Sequence, residues 1–471
     1  MIRKLIPGVV FFLAFISCHA QGYKINVHIG GLSNDTLLLG YHFGDKQFIV
    51  DTLLTDNKGS GTFQGEKKLP GGIYLIVIPQ RRYFEVLISD NQHFYVSTDT
   101  TQLFSQLKFR NSPENERFVA YQRKMMEAQN LTGEYQSRMR SFPARHDSSG
   151  YYKRRLESLD REIKAFLDSL VNIAPGSLLS NIITAMRPLE IPELKLPSFI
   201  PNQDSLRMVM GYRYNRDHFF DGFPFTDSCI LRTPILHNKL DYYFNRFLFQ
   251  VPDSLIPAMD KVLDRARAHP SVFQYSLIYL MNHYVNSNIM GMDAVYVHLA
   301  EKYYLSGQAP WADSTFLKNL ADNVNKTKPN LIGKTAPNLV MESITGEWYA
   351  LHQVKARYTV LYFWEPNCGF CKEETPRLYD LFRKWKLHGL AVFAVYTQGK
   401  KEEWSRYLDE KGFDWINVYD PQNASYFRYY YNVVSTPTLY LLDQDKKIIA
   451  KRINVETLGQ MLERLFTDKP L

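Results

Sequence analysis

The sequence has few cysteines, no long apolar run beyond its first residues and no block of like charge. Four cysteines in 471 residues, Cys18, Cys229, Cys368 and Cys371, exclude a disulfide-dense scaffold. Only the extreme N-terminus is continuously apolar, which excludes a protein with several membrane-spanning helices. The 56 basic and 48 acidic residues are interspersed and give a net charge of +8, so we interpret them as solvated surface and predict no nucleic-acid partner.

Residues 1–20 are typical of an export signal. Arg3 and Lys4 precede the apolar run 5–16, which is too short for a spanning helix because such a helix needs about 20 residues. A small-residue cleavage site follows at Cys18-His19-Ala20; lipidation of Cys18 is the alternative to plain cleavage, and a buried N-terminal element is a third interpretation. Export predicts a location in the periplasm or cell envelope, where cysteine pairs can be oxidised.

Three further regions follow, and we predict domains at residues 21–110, 111–325 and 326–471. The first has short runs rich in Val, Ile, Tyr and Phe between turn clusters, which predicts an all-β, sandwich-like domain. The second opens with the helix-start signal Asn111-Ser112-Pro113-Glu114 and carries apolar stripes at helical spacing, which predicts a mostly α-helical domain. Its Cys229 has no second cysteine nearby and is predicted to be a buried, inert thiol.

The last region is predicted to be an α/β domain. Residues 323–337 are polar and contain two prolines, so we interpret them as a linker. Strand and helix patterns alternate from residue 338 onward. The nearly continuous apolar run 358–364 is typical of a central strand that is covered on both faces of its sheet.

The candidate chemistry lies at Cys368 and Cys371. Cys368-Gly369-Phe370-Cys371 follows the apolar strand, and the helix is predicted to begin at the first cysteine. A helix N-terminus offers unpaired N–H groups and the positive end of the helix dipole, both of which favour a thiolate. We therefore predict that Cys368 attacks a disulfide and that Cys371, one turn further on, resolves the mixed disulfide.

Glu374 and the Thr436-Pro437 pair are further candidate residues of this site, and zinc binding is an alternative role for the cysteines. Glu374 can lie on the same helix face as Cys371, either as the acceptor of its proton or as a solvated carboxylate. Pro437 precedes a strand, and a cis bond there would expose the Thr436 backbone, so that an extended substrate could add a strand. Zinc sites also use paired cysteines, but no second Cys or His pair follows at suitable spacing, so we predict no metal.

Residues 331–466 resemble the thioredoxin superfamily, and specifically its bacterial TlpA/ResA-like branch of thiol-disulfide oxidoreductases. The matching features are Ile332-Gly333-Lys334, Ala336-Pro337, Phe363-Trp364, Cys368-Gly369-Phe370-Cys371-Lys372, Glu374, Pro376 and Thr436-Pro437. The sequence departs from that pattern at Asn367, where tryptophan is common, at Phe370, where proline is common, and at Tyr362, where thioredoxins have a buried aspartate. These departures leave open whether the protein reduces, oxidises or isomerises disulfides.

The resemblance implies a thioredoxin fold, a periplasmic or membrane-facing location and no dissociable cofactor. It also implies that Glu374 tunes the cysteine pair, that Trp364, Thr436 and Pro437 contact substrate, and that a membrane electron donor recharges the cysteines of a reductase. We therefore predict an exported thiol-disulfide oxidoreductase acting on protein thiols. The alternatives are an envelope binding or scaffold protein with a regulatory or vestigial redox module, and an AhpC/TSA-like thiol peroxidase that uses Cys368.

Overall fold

The computed structural model describes residues 22–142, 147–192, 196, 199 and 201–467. The predicted export signal at 1–20, with Cys18, lies outside the described residues. The chain divides into two compact units, of which the first runs to Phe247 and includes Arg265–Val272, and the second comprises Leu248–Asp264 and the chain from Phe273 onward. None of the helices in the described ranges combines the length and the apolar character needed to cross a membrane.

The first unit begins with a β-sandwich. Its strands are β1 (Tyr23–Gly30), β2 (Thr36–Phe43), β3 (Lys46–Leu54), β4 (Ser60–Gly65), β5 (Gly72–Ile78), β6 (Arg82–Ile88), β7 (His93–Asp99) and β8 (Lys108–Arg110). They form two four-stranded sheets, ordered β4-β1-β7-β8 and β3-β2-β5-β6. Alternate side chains of each sheet, such as Ile25 and Val27 on β1 and Leu37 and Leu39 on β2, share one core. The predicted β-rich fold is confirmed.

Helices complete the first unit. They are α1 (Pro113–Arg140), α2 (Asp147–Ile173), α3 (Leu178–Met186), α4 (Gln203–His218) and α5 (Ile235–Tyr242). α1 begins at the predicted start signal, with Pro113 in its first turn. Asn115 attaches α1 to β6, because its side chain accepts from the N–H of Leu87 at 2.7 Å and donates to the Leu87 carbonyl at 2.8 Å.

Cys229 lies in a short 3₁₀ turn, Ser228–Arg232, of the first unit. It is partly rather than fully buried. Burial, together with a hydrogen bond to Asp227, raises the pKa of the Cys229 thiol to about 12. The neutral thiol is therefore the stable form, which agrees with the interpretation of this cysteine as unreactive.

Four further helices follow, and the last of them extends into residues 323–337, the segment that the sequence analysis interpreted as a linker. The helices are α6 (Pro252–Ala266), α7 (Pro270–Val285), α8 (Asp293–Leu299) and α9 (Ser314–Thr327). The linker interpretation of 323–337 is wrong, because α9 extends into it and Asn330 and Ala336 are buried. The side-chain amide nitrogen of Asn330 donates to the backbone carbonyls of Lys326, within the segment, and of Tyr430, 100 positions further on, so hydrogen bonds hold this polar segment in place.

The rest of the second unit is a seven-stranded sheet with helices. The strands are β9 (Val340–Ser343), β10 (Trp348–Ala350), β11 (Tyr358–Trp364), β12 (Leu390–Tyr396), β13 (Ile416–Tyr419), β14 (Thr438–Leu442) and β15 (Ile448–Lys451). Their order in the sheet is β10-β9-β13-β12-β11-β14-β15. The helices are α10 (Gly369–Trp385), α11 (Lys401–Lys411), α12 (Phe427–Tyr430) and α13 (Val455–Thr467).

β11 is an interior strand of this sheet, between β12 and β14, and leads directly to the cysteines. It pairs in parallel with β12 and antiparallel with β14. Tyr362 and Trp364 pack into the core on one face, whereas Leu361 and Phe363 pack into the core on the other. The strand is therefore covered on both faces, as its apolar sequence predicted. The short strands β9 and β10, of which β10 forms the edge of the sheet, were not predicted.

Candidate active site

Cys368 caps the N-terminus of α10, a few residues beyond the end of β11. Its backbone is extended, and its sulfur accepts a hydrogen bond from the backbone N–H of Cys371 at 3.3 Å. A side chain at this position faces first-turn N–H groups that have no partner within the helix, and it lies at the positive end of the helix dipole. The local backbone therefore favours a thiolate at Cys368.

The two thiols of this motif differ in acidity, and both are free. Burial opposes ionisation of Cys368, but hydrogen bonds from the Cys371 side chain and backbone, from the Thr436 side chain and from the Phe370 backbone together lower its pKa. Cys371 is 1% exposed, and burial raises the pKa of its thiol to about 12. The pair thus combines an accessible, acidic thiol with a buried thiol that holds its proton.

The pairing of β11 with β14 brings the predicted proline loop to Cys368. Phe363 on β11 pairs with Thr438 on β14, so the residues just before β14 lie beside the start of α10. The Thr436–Pro437 peptide bond is cis. The Cys368 thiol donates a hydrogen bond to the Thr436 carbonyl at 3.2 Å.

Glu365 is a polar residue of this site that the sequence prediction missed. It is the first residue after β11 and is partly buried. The Thr436 hydroxyl donates to its Oε1 at 2.9 Å, and its backbone carbonyl accepts from the N–H of Cys368 at 3.4 Å. The available signal was an acidic residue at the end of an otherwise apolar interior strand, three positions before the first cysteine.

The structure gives Glu374 and Trp364 surroundings that the sequence did not specify. Oε2 of Glu374 accepts from the backbone N–H of Val455, the first residue of α13, at 2.9 Å. Its Oε1 lies 3.6 Å from Nη1 of Arg377. Trp364 is 0% exposed, and its ring packs against Tyr362. A direct contact of Trp364 with substrate is therefore excluded in this conformation, because its whole side chain is within the core.

A cleft of about 530 Å³ opens beside the cysteines. Its lining includes Glu374, Thr436, Pro437, Phe370 and Val434. The last two side chains are 74% and 83% exposed, so the cleft has an apolar rim. Exposed apolar side chains beside a concave surface are typical of a site that binds another molecule.

Within the described ranges, no three His, Cys, Asp or Glu side chains lie close enough together to hold a metal ion.

Three segments of the chain match known protein families. Residues 332–451 match the model of the AhpC/TSA family. A segment of 130 residues is 27% identical to the thiol-disulfide oxidoreductase ResA of Bacillus thuringiensis, covering 28% of this chain and 74% of that protein. The C-terminal part of this chain is a thioredoxin-like domain. The fold class predicted for it is confirmed.

Two further family models match the chain before the thioredoxin-like domain, and both describe domains of unknown function. DUF4369 matches residues 23–118, and DUF5106 matches residues 177–330. Among solved structures, a domain of a possible thiol-disulfide isomerase from Cytophaga hutchinsonii is 42% identical, covering 29% of this chain and 95% of that chain with a TM-score of 0.28. A thioredoxin-like protein from Bacteroides caccae is 22% identical, covering 59% of this chain and 99% of that chain with a TM-score of 0.45.

Proposed function

We propose that this protein is an exported thiol-disulfide oxidoreductase that exchanges disulfides with protein thiols through Cys368 and Cys371. The observation that carries the proposal is the sulfur of Cys368 at the N-terminus of α10, where it accepts the Cys371 N–H at 3.3 Å. The named activity of the ResA relative supports the same reaction class. The pattern of residues 1–20 supports export.

The reaction consists of two exchanges. The Cys368 thiolate attacks one sulfur of a substrate disulfide, a mixed disulfide forms, and the other substrate sulfur leaves as a thiolate. Cys371 then loses its proton and attacks Cys368, so that the Cys368–Cys371 disulfide forms and the second substrate sulfur leaves. Two electrons pass from the protein to the substrate, and the reverse sequence oxidises a substrate dithiol. An electron donor in the membrane would return the cysteines of a reductase to the dithiol form.

Substrate recognition is proposed at the loop before β14 and at the rim of the cleft. An extended substrate segment would pair with the backbone at Thr436 and Pro437 as an added strand. Phe370 and Val434 would contact its apolar side chains, since both are exposed next to this backbone. Trp364 is assigned a supporting role, because it belongs to the core cluster that includes Cys371 and against which Cys368 packs.

Glu374 remains a proposed member of the catalytic group. It lines the cleft and lies one turn beyond Cys371 on α10. Its carboxylate is held by the N–H of Val455, which supports a fixed position rather than a freely solvated one. We propose that it tunes the cysteine pair through the polarity of the cleft.

Turnover of a protein disulfide by the full chain tests the proposed function. Reduction of insulin disulfides by the dithiol form is expected to require Cys368, so Cys368→Ser abolishes it. Cys371→Ser is expected to accumulate mixed disulfides on Cys368, which mass spectrometry identifies. Cys229→Ala is the matched control and should leave turnover unchanged. Undiminished turnover by Cys368→Ser would refute the proposal.

The AhpC/TSA description of the matching family model makes peroxide reduction the second candidate. In that reaction the Cys368 thiolate attacks a peroxide oxygen, an alcohol or water leaves, and Cys371 condenses with the resulting sulfenic acid to form a disulfide and water. The two reactions are separated by comparing how fast hydrogen peroxide and insulin disulfides each oxidise the dithiol form of the same preparation. Faster oxidation of the dithiol by peroxide than by disulfide would favour the peroxidase.

A further inference from the structure

A cavity of about 450 Å³ lies between the β-sandwich and the helices of the first unit. Residues of β5, β6, α1, α3 and α5 line it. Its apolar walls include Ile73, Phe118, Ile182, Phe219 and Ile235. Cavities of this size with mostly apolar walls and a few polar groups are typical of sites that bind small molecules. None of the lining residues belongs to the cysteine site, so the cavity is a candidate for a separate binding function.

Glu85 brings a carboxylate to this cavity. Its neighbours on β6, Phe84 and Val86, pack in the sandwich core, so the alternation of side chains along the strand directs Glu85 to the opposite face of the sheet. Nε2 of Gln122 on α1 donates to Oε2 of Glu85 at 2.7 Å. Within the ranges that the structure describes, no basic side chain forms an ion pair with Glu85. Burial raises the pKa of this carboxyl despite the hydrogen bond, because a neutral amide compensates only part of the lost hydration.

Lys239 on α5 brings the opposite charge to the same cavity. Its Nζ lies 4.7 Å from the centre of the Phe219 ring and donates to the Phe219 carbonyl at 3.2 Å. An ammonium group has three N–H donors, and no carboxylate of the described residues forms an ion pair with this one. Burial lowers the pKa of Lys239, as expected for an ammonium group that is only partly compensated.

Gln122 adds an unsatisfied acceptor beside the carboxylate. Its Nε2 is directed to Glu85, whereas its Oε1 is buried and has no hydrogen-bond partner among the residues described. A buried acceptor without a donor is unfavourable, and an N–H group bound next to Glu85 removes that cost. The cavity therefore requires donors near Glu85 and an anion near Lys239.

We propose that this cavity binds a small zwitterion with an apolar body, namely an apolar amino acid or a short apolar peptide. The ammonium group of the ligand donates to Glu85 and to Oε1 of Gln122. Its carboxylate accepts from Lys239, and its apolar side chain packs against Phe118 and Ile182. Glu85 and Lys239 do not form an ion pair with each other, so a ligand that carries both charges compensates both, whereas a simple carboxylic acid or amine compensates only one. This binding is separate from disulfide exchange and does not depend on it.

Isothermal titration calorimetry of the full chain with L-phenylalanine and with the dipeptide phenylalanyl-phenylalanine tests the proposal and separates the two sources of the ligand. Each zwitterion has two matched probes that lack one charge. For the amino acid these are 3-phenylpropionate and 2-phenylethylamine, and for the dipeptide they are its N-acetyl and C-terminal amide forms. At least one zwitterion is expected to bind, and each of its single-charge forms should bind about 10-fold more weakly or worse, since each leaves one protein charge unpaired.

The variants Glu85→Gln and Lys239→Met identify the contacts. Each should weaken binding of the zwitterion about 10-fold or more and should remove the preference for one charge only. In Glu85→Gln the zwitterion should bind no better than the form without its ammonium group, and in Lys239→Met no better than the form without its carboxylate. Misfolding would weaken all probes alike, so this pattern separates a ligand contact from a structural role. Glu66→Gln and Lys67→Met, two exposed positions of the sandwich domain, are the controls and should bind like the parent.

Photolabelling locates the site independently. The zwitterion that binds, prepared with p-azidophenylalanine, should label peptides of α1, α3 or α5 in the full chain, and an excess of the unmodified zwitterion should suppress the labelling. Labelling confined to other parts of the chain would overturn the proposal. Equal affinity for the zwitterion and its single-charge forms, unchanged binding in both cavity variants, or no binding of either zwitterion at millimolar concentration would overturn it as well. None of these outcomes bears on turnover of protein disulfides, which tests the proposed function by itself.

Discussion

The carboxylate of Glu374 accepts a hydrogen bond from the backbone N–H of Val455 at 2.9 Å, across 81 positions of the chain. Val455 is the first residue of α13, where the N–H groups have no partner within the helix. An anionic acceptor at a helix N-terminus is stabilised by the helix dipole as well as by the hydrogen bond. One side chain thus attaches the helix that bears the cysteines to the last helix of the domain.

Replacing Glu374 should destabilise the thioredoxin-like domain. Glu374→Ala leaves the N–H of Val455, a residue only 4% exposed, without its acceptor, which costs about 1–3 kcal/mol of the free energy of unfolding. Glu374→Gln keeps an acceptor and should cost less. Urea unfolding followed by tryptophan fluorescence measures this, because all six tryptophans lie in the second unit. The exposed neighbour Glu373→Ala is the control, and an equal loss in both variants would contradict the role of Glu374.

Alkylation across a pH series should separate the three described cysteines. Cys368 is expected to react with iodoacetamide with a midpoint below the ordinary thiol value of about 8.5, because hydrogen bonds lower its pKa. Cys371 and Cys229 should stay unmodified in mildly alkaline buffer, because burial raises the pKa of each to about 12. Mass spectrometry of peptides after each pH point gives the three titrations.

The variant Cys371→Ser refines the alkylation experiment. It replaces the thiol that hydrogen-bonds to Cys368 but keeps the backbone N–H of residue 371, so the Cys368 midpoint should rise only part of the way toward the ordinary value. A midpoint at or above the ordinary thiol value in the unmodified protein would refute thiolate stabilisation by the start of α10.

Substitutions of Gly71 and Cys229 should have strongly coupled effects on the stability of the first unit. A Cβ atom on Gly71 would lie 2.4 Å from the Cys229 sulfur, which is closer than van der Waals contact allows. Gly71→Ala should therefore destabilise the unit by about 1–3 kcal/mol through overpacking. Cys229→Ala removes the sulfur and leaves the Ile88 carbonyl oxygen at 3.3 Å and Cβ of residue 229 at 3.6 Å, so the double variant should recover part of the loss.

Thermal unfolding followed by circular dichroism measures this coupling for the four proteins of the double-mutant cycle. Tryptophan fluorescence reports the second unit alone and serves as the control, which should not change. Additive effects of the two substitutions would show that the close approach is relieved elsewhere and would contradict the prediction.

The sequence predicts the parts of this molecule that depend on neighbouring residues. The apolar run of β11 and the cap at Cys368 follow from strand pleating and from the free N–H groups of a helix start. Glu374 lies on the predicted helix face, but its partner Val455 is set by tertiary structure. Glu365 reaches Thr436 only because β11 and β14 pair, and no spacing in the sequence indicates that register.

The segment 323–337 was wrongly interpreted as a linker because of its composition. Polar residues and prolines are typical of linkers, because unpaired polar groups are costly to bury. Asn330 is nevertheless 2% exposed, and its side-chain NH₂ group donates to two backbone carbonyls while its backbone carbonyl accepts from Lys451 at 2.6 Å. Composition does not reveal that two of these partners, Tyr430 and Lys451, come from distant parts of the chain.

Lys451 on β15 and Asp293 on α8 form an ion pair whose disruption should be costly. The Lys451 side chain is 7% exposed and the Asp293 side chain 27%, and burial lowers the pKa of Lys451 while Asp293 opposes that shift. Asp293→Asn leaves a buried ammonium without a counter-charge and should cost about 3–5 kcal/mol of the free energy of unfolding of the second unit. Lys451→Met should cost less, because the carboxylate it leaves behind is closer to solvent.

The double variant should be more stable than Asp293→Asn alone, since it removes both charges. Urea unfolding by tryptophan fluorescence measures all three, and a loss in the double variant equal to the sum of the single losses would show that the two charges do not stabilise each other.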